Sequence, residues 1–312
     1  MFESKEMRAV LYDFLKNEMA KNDKIVVIDA DLGKANGTYN LRNDYPDRAI
    51  DVGVAEQNMA SIAAGMASYG YIPFISSFTP FATRRICDQI AISICYANMN
   101  VKIIGTDPGI SAEFNGGTHM SLEDIGVLRS IPNLVIYEPV DATQLYKSLS
   151  KILEYKGPVY IRMFRKVAEP IFDENYEFDL FKADVVKEGT DVTVLATGIM
   201  VKEALKASEV LKEEGINVEV INVHTIKPLD EETILNSLRK TKACAVLENH
   251  NLIGGLYSAV SELLCSKLPM KVEKVGVNDR FGEVGKMPYL KEVMGMTTED
   301  VINAIKRATL NK

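Results

Sequence analysis

The chain has 312 residues, 47% of them hydrophobic and 25% charged, with a formal net charge of −7. That length can bury a sizeable core and predicts two domains. The acidic balance argues against a nucleic-acid or anionic-membrane surface. Cys87, Cys95, Cys244 and Cys265 show no CxxC spacing, so they predict neither a zinc site nor a disulfide framework and suit a reducing cytoplasm. The N-terminal stretch "MFESKEMRAV" carries charges where a secretory signal would be apolar.

In chain order, helix patterns near 4–20, 56–69, 81–97, 122–129 and 141–155 alternate with strand candidates at 24–29, 49–54, 71–76, 101–105, 133–137 and 158–163. Such alternation predicts a doubly wound, mostly parallel sheet flanked by helices. Residues 164–188 lose the rhythm and carry Pro170 among clustered acids, which suits a linker. The pattern restarts with "DVTVLATG" and runs through "INVEVINV", "KACAVLEN" and "MKVEKVGV", a second α/β unit. The expected division is 1–165, a linker at 166–188, and 189–312. Neither half repeats the other, and no segment is of low complexity.

Glu56 is the residue out of place. It follows the run Ile50–Ala55, broken only by Asp51, and from Gln57 to Thr83 there is no charge. A carboxylate there is costly to bury unless paired, protonated or used. Gln57, Asn58, Gly65, Gly70, Pro73 and Pro80 interrupt the stretch, so it is not a membrane span. Ala60, Ile62, Ala63, Ala64, Met66 and Ala67 sit on every side of the helix opened by Glu56. That predicts a helix buried all round, beside a subunit interface or as the centre of one large domain.

"DVGVAEQNMASIAAGMASYGYIPFISSFTPFATR", "GTHMSLEDIGVLRSIPNLVIYEPVDA" and "GPVYIRMFRK" resemble the pyrimidine-binding region of transketolase. "VHTIKPLD", "LENHNLIGGLYSAV" and "GVNDRFGEVG" resemble its C-terminal domain. The resemblance spans residues 5 to 308. A complete transketolase also has an N-terminal half whose GDG motif and downstream Asn hold the metal and the diphosphate of thiamine diphosphate; no GDG occurs here. The resemblance therefore implies the C-terminal subunit of a split transketolase, cytoplasmic, sharing thiamine diphosphate with a partner subunit that carries GDG and holds Mg²⁺ or Ca²⁺. It implies self-association into a dimer core, a heterotetramer with that partner, and sugar phosphate substrates.

By the resemblance Glu56 is the catalytic glutamate. A glutamic acid kept protonated in an apolar pocket can hydrogen-bond a pyrimidine ring nitrogen and promote proton loss from the thiazolium carbon; its alternative is a carboxylate favoured at a helix N-terminus. Phe78 and Phe81 match the aromatics that stack on the pyrimidine, though such a pair also suits a core. Asp31 matches a carboxylate near the thiazolium ring or is a strand-end turn residue. His119 matches a second catalytic position, which would face the donor's hydroxyls or the covalent intermediate. Asp107 replaces a substrate-binding His and Asn115 replaces an Asp. Asp107 would repel phosphate, while the Asn115 amide loses charge but can still donate and accept. Together they imply an atypical sugar, branched or deoxy. Arg165 matches a phosphate-binding Arg, with Lys5 near a second basic position; the alternative for each is a surface salt bridge. Arg84 stands where many members have a Tyr or a small residue, and Glu248 and His250 precede a Gly pair, their roles open. His224 and His250 fit structural or interfacial places, and no residues have metal-site spacing.

The implied activity is transfer of a two-carbon ketol unit from a ketose phosphate to an aldose. The alternatives are a 2-oxo acid dehydrogenase beta subunit, a deoxyxylulose-phosphate synthase half, and a non-catalytic scaffold.

Overall fold

The computed structural model describes residues 5–310. The chain divides into two units, one comprising the chain up to Pro108 with Val127–Leu180, the other Gly109–Gly126 with the chain from Phe181 onward. In the first half the elements are α1 (Met7–Lys21), β1 (Ile25–Asp29), α2 (Gly33–Asn36), α3 (Leu41–Asp44), β2 (Ala49–Asp51), α4 (Glu56–Ser68), β3 (Ile72–Phe78), α5 (Thr79–Ala82), β4 (Lys102–Thr106), α6 (Asp124–Arg129), β5 (Val135–Tyr137), α7 (Ala142–Glu154) and β6 (Val159–Met163).

The six strands of the first unit run in the order β5-β6-β4-β3-β1-β2, and every pairing among them is parallel. β1, β4 and β6 are buried along their whole length. Strands covered on both faces read as continuous apolar runs, which is why "IVVID" and "VYIRM" stood out. Two cations are buried with them. Lys102 donates to the carbonyls of Tyr155 and Gly157, both at 2.9 Å. Arg162 pairs with Glu138 at 2.7 Å.

Beside the sheet, Leu11, Phe14 and Leu15 of α1 share an apolar cluster with Leu145, Leu149 and Ile152 of α7. Asp141 caps α7, accepting from the Gln144 N–H at 2.8 Å. The helix expected over 81–97 is three pieces: α5, a 3₁₀ turn at Arg84–Ile86 and a π-helix at Gln89–Tyr96. α4 is not buried all round. Met59, Ala60, Ala63 and Ala64 face the core, while Gln57, Asn58, Ser61, Gly65 and Ser68 are exposed.

The second half contains β7 (Asp184–Lys187), β8 (Val192–Ala196), α8 (Met200–Glu213), β9 (Val218–Asn222), β10 (Thr225–Lys227), α9 (Glu231–Thr241), β11 (Cys244–Asn251), α10 (Leu256–Lys267), β12 (Val272–Val277), α11 (Met287–Met294) and α12 (Thr298–Thr309). Its sheet runs β12-β11-β8-β9-β7, parallel except for β7 at the edge. Residues 184–187, read from the sequence as linker, are thus a strand. No helix among the described residues is long and apolar enough to cross a membrane.

The segment Gly109–Gly126 is tied into this second unit. The Ile110 N–H donates to Asn249 Oδ1 at 2.9 Å, and the Asn251 N–H to the Leu122 carbonyl at 2.8 Å. Gly109 has φ +58°, and a Cβ there would lie 2.2 Å from Asn249 Oδ1, so only glycine fits. Glu113, at φ 46°, accepts from the Met287 N–H at the start of α11.

Candidate active site

The first unit gathers its ionic side chains at the carboxyl ends of its strands, the usual position of a ligand crevice in open α/β sheets. Glu56 is the first residue of α4 and only 4% exposed. The N-cap residue, Ala55, supplies no side-chain cap. Where an apolar pocket was expected, a guanidinium is present: Arg85 Nη1 donates to Glu56 Oε1 at 2.7 Å. The same guanidinium lies over Phe81, its Cζ 3.8 Å from the ring centroid. Phe78, at the end of β3, and Phe81, in α5, have ring centroids 6.3 Å apart with planes tilted by 40°. No described residue donates to Glu56 Oε2.

A second stack repeats the pattern. Arg165 lies over Phe78, 5.0 Å from the ring centroid, and its Nε pairs with Asp107 Oδ2. Asp107 is 2% exposed and holds φ +52°, and its Oδ1 accepts from the Arg165 N–H at 3.2 Å. Burial pushes the Asp107 carboxyl up; Arg165 offsets only part of that. Arg165 Nη1 also reaches the Ala35 carbonyl at 3.4 Å, and Arg8 Nη1 donates to the same oxygen at 3.1 Å. Lys5, the expected second cation, is engaged with Asp13 instead.

Asp31 is exposed at φ 61°, its N–H donating to Asp51 Oδ1 at 2.9 Å. Burial raises the Asp51 carboxyl, but the N–H groups of Asp31 and Gly53, with Arg42, outweigh it and hold it low. Behind this turn lies Asp29, 2% exposed, whose carboxyl burial pushes up to about 6 despite the Thr38 hydroxyl at 2.7 Å and Arg42.

His119 and Asn115 lie in the segment built into the second unit. Asn115 is exposed; His119 is half-buried, with Nδ1 2.9 Å from Thr118 Oγ1. Glu248 caps α10, accepting from the N–H groups of Leu256 and Tyr257 at 2.7 and 3.0 Å. His250 is fully buried, 3.8 Å from Glu248 and 4.0 Å from Asp124. His224 contacts the Lys182 carbonyl at 2.7 Å. Among the described residues no group of three His, Cys, Asp or Glu side chains could hold a metal ion.

The structure therefore brings Glu56 to Phe81, and Phe78 to Asp107 and Arg165. Sequence reasoning missed Arg85 and Arg8. For Arg85 a signal existed: Arg84 and Arg85 are the first charges after the uncharged stretch from Gln57 to Thr83.

Residues 3–169 match the family model for the transketolase pyrimidine binding domain, and residues 181–301 that for the transketolase C-terminal domain. The chain belongs to the transketolase family, whose chemistry depends on thiamine diphosphate. It is 51% identical to a 6-deoxy-6-sulfo-D-fructose transketolase subunit of Clostridium sp. (strain MSTE9), over 98% of this chain and 95% of that one. It is 41% identical to a putative transketolase C-terminal section of Methanocaldococcus jannaschii, over 91% and 90% of the two chains. Among solved structures, a split gene transketolase in an inactive beta4 tetramer superposes with a TM-score of 0.89 at 40% identity, covering 98% of this chain and 99% of that one.

Proposed function

We propose that the chain is the pyrimidine-binding subunit of a two-chain transketolase. In this reading it moves a two-carbon ketol unit from a sulfonated ketose to an aldose. The observation that carries the reading is the buried Glu56 with one carboxylate oxygen unengaged beside a phenylalanine that already accepts a planar nitrogen cation. Arg85 covers part of Phe81 and takes only Oε1, while Phe78 lies beside Phe81 and Oε2 stays unengaged, so these residues fit the ring of thiamine diphosphate. When bound, the cofactor supplies an electron sink for the two-carbon fragment.

The chain's own residues do the rest. Glu56 exchanges a proton with a ring nitrogen through Oε2. Phe78 and Phe81 would hold the ring, and Asp31 would supply a carboxylate to the cofactor. Arg165 and Arg8 hold the donor's terminal anion, while His119 and Asn115 face its hydroxyls. A partner subunit with a GDG motif holds Mg²⁺ and the diphosphate. The exposed, uncharged face of α4 packs against a second copy, and two of each chain make a heterotetramer.

The choice of a sulfonated donor is supported by charge as well as by kinship. A phosphate monoester carries about −1.5 to −2 at neutral pH, whereas a sulfonate carries one charge. Asp107 offsets Arg165, leaving a site whose charge suits a monoanion. In the test, the chain is co-expressed with a GDG-bearing partner and supplied with thiamine diphosphate, Mg²⁺ and glyceraldehyde 3-phosphate. Transfer from 6-deoxy-6-sulfofructose, releasing a sulfonated tetrose, is the expected result. Carbon dioxide release from a 2-oxo acid without ketol transfer would refute it.

A further inference from the structure

Arg85 has no role in the chemistry described so far, yet among the described residues it alone donates a side-chain hydrogen bond to Glu56. We propose that Arg85 is a positioning residue, which holds one oxygen of Glu56 so that the other faces the cofactor ring. The proposal rests on Glu56 being the ring's partner.

A glutamate has three side-chain torsions, and Glu56 is the buried first residue of α4. Its buried carboxylate therefore needs a donor from elsewhere. Arg85 is that donor and is itself held at three points. Nη1 binds Glu56 Oε1 at 2.7 Å, the guanidinium plane rests on Phe81 at 3.8 Å, and the Arg85 carbonyl accepts from Gln57 Nε2 at 3.4 Å. Gln57 is the neighbour of Glu56 on α4, so the arginine grips that helix end through two residues.

The backbone explains why Arg85 can reach back. A single helix over 81–97 would leave its direction to helical spacing. Instead Thr83, at φ −132° and ψ −86°, breaks the helix after α5, and the 3₁₀ turn Arg84–Ile86 follows. Exposure assigns the two halves of the pair different tasks. The Arg85 side chain is 43% exposed and Glu56 5%, so the cation sits at the rim and the carboxylate beneath it. A bond meant only to neutralise Glu56 would do best by forking onto both oxygens, as guanidinium and carboxylate commonly do. Here Arg85 takes Oε1 alone, and Oε2 is left for a ligand.

The test is a double-mutant cycle on cofactor affinity, read by calorimetry with thiamine diphosphate and Mg²⁺ on the complex with the GDG-bearing partner. Arg85→Met is expected to weaken binding on the order of tenfold, from losing one charge-assisted hydrogen bond. In a Glu56→Gln background the same change is expected to cost less than about twofold, because the arginine then has no carboxylate to hold. Arg85→Lys, which keeps the charge and loses the planar stack, is expected to restore binding in part. Melting temperatures of all variants control for folding. Wild-type affinity in Arg85→Met, or the same loss in both backgrounds, would overturn the assignment. Wild-type affinity in Glu56→Gln alone would instead overturn the role given to Glu56, and the assignment of Arg85 with it.

Discussion

Replacing Asp107 by Asn should move donor preference toward phosphate. The side chain keeps its shape and can still accept the Arg165 N–H, but it no longer cancels the guanidinium charge. One unit charge acting on another at about 6 Å in an effective dielectric of about 20 is worth about 2.8 kcal/mol. Arg165 is 16% exposed, so solvent and salt discount that figure to roughly 1.4 kcal/mol for the second charge of a phosphate. The ratio of kcat/KM for fructose 6-phosphate to that for 6-deoxy-6-sulfofructose should therefore rise about tenfold. The assay is the same ketol transfer with the two donors in parallel, at fixed ionic strength. An unchanged ratio, with both donors weakened equally, would show that Asp107 holds Arg165 in place and does not set its charge.

Two buried titratable groups predict opposite pH responses. Lys102 is held at about 7 by burial, well below its ordinary value of 10.5, so the unfolded chain binds more protons and stability rises with pH. Urea unfolding at pH 9 should exceed that at pH 7 by about 2 kcal/mol from this residue, a slope that Lys102→Met removes. Asp29 is raised from 3.8 to about 6, so the folded chain binds more protons between those values and stability falls as pH rises through that window. Asp29→Asn should raise the melting temperature at pH 7.5 more than at pH 4.5, and equal shifts would contradict the burial argument. Gly109→Ala should destabilise the second unit, because its Cβ has no room beside Asn249 and its φ is left-handed; a wild-type melting temperature would refute the close approach.

Much of this was legible in the sequence because parallel strands buried on both faces leave continuous apolar runs, and β1, β3, β4 and β6 lie within a residue or two of where those runs placed them. Period and propensity carry no such information about long-range pairing. Arg85 stands 29 residues after Glu56, and Arg165 stands 58 after Asp107, so neither ion pair appears in any local window. The helix expected over 81–97 is apolar enough to look continuous; Thr83 breaks it through backbone angles that its residue type does not announce. Residues 184–187 were hidden by the polar composition of an edge strand, which is half solvated on β7. The expectation that α4 is buried all round failed because small and uncharged residues also suit an exposed face, which here carries Gln57, Asn58, Ser61, Gly65 and Ser68.

Ketol transfer by the complex of this chain with a GDG-bearing partner, measured for the wild type and Glu56→Gln side by side, tests the central claim most directly. The wild type should convert 6-deoxy-6-sulfofructose and glyceraldehyde 3-phosphate. Glu56→Gln should assemble normally and lose on the order of a hundredfold or more in kcat. A variant that turns over at the wild-type rate would contradict the account.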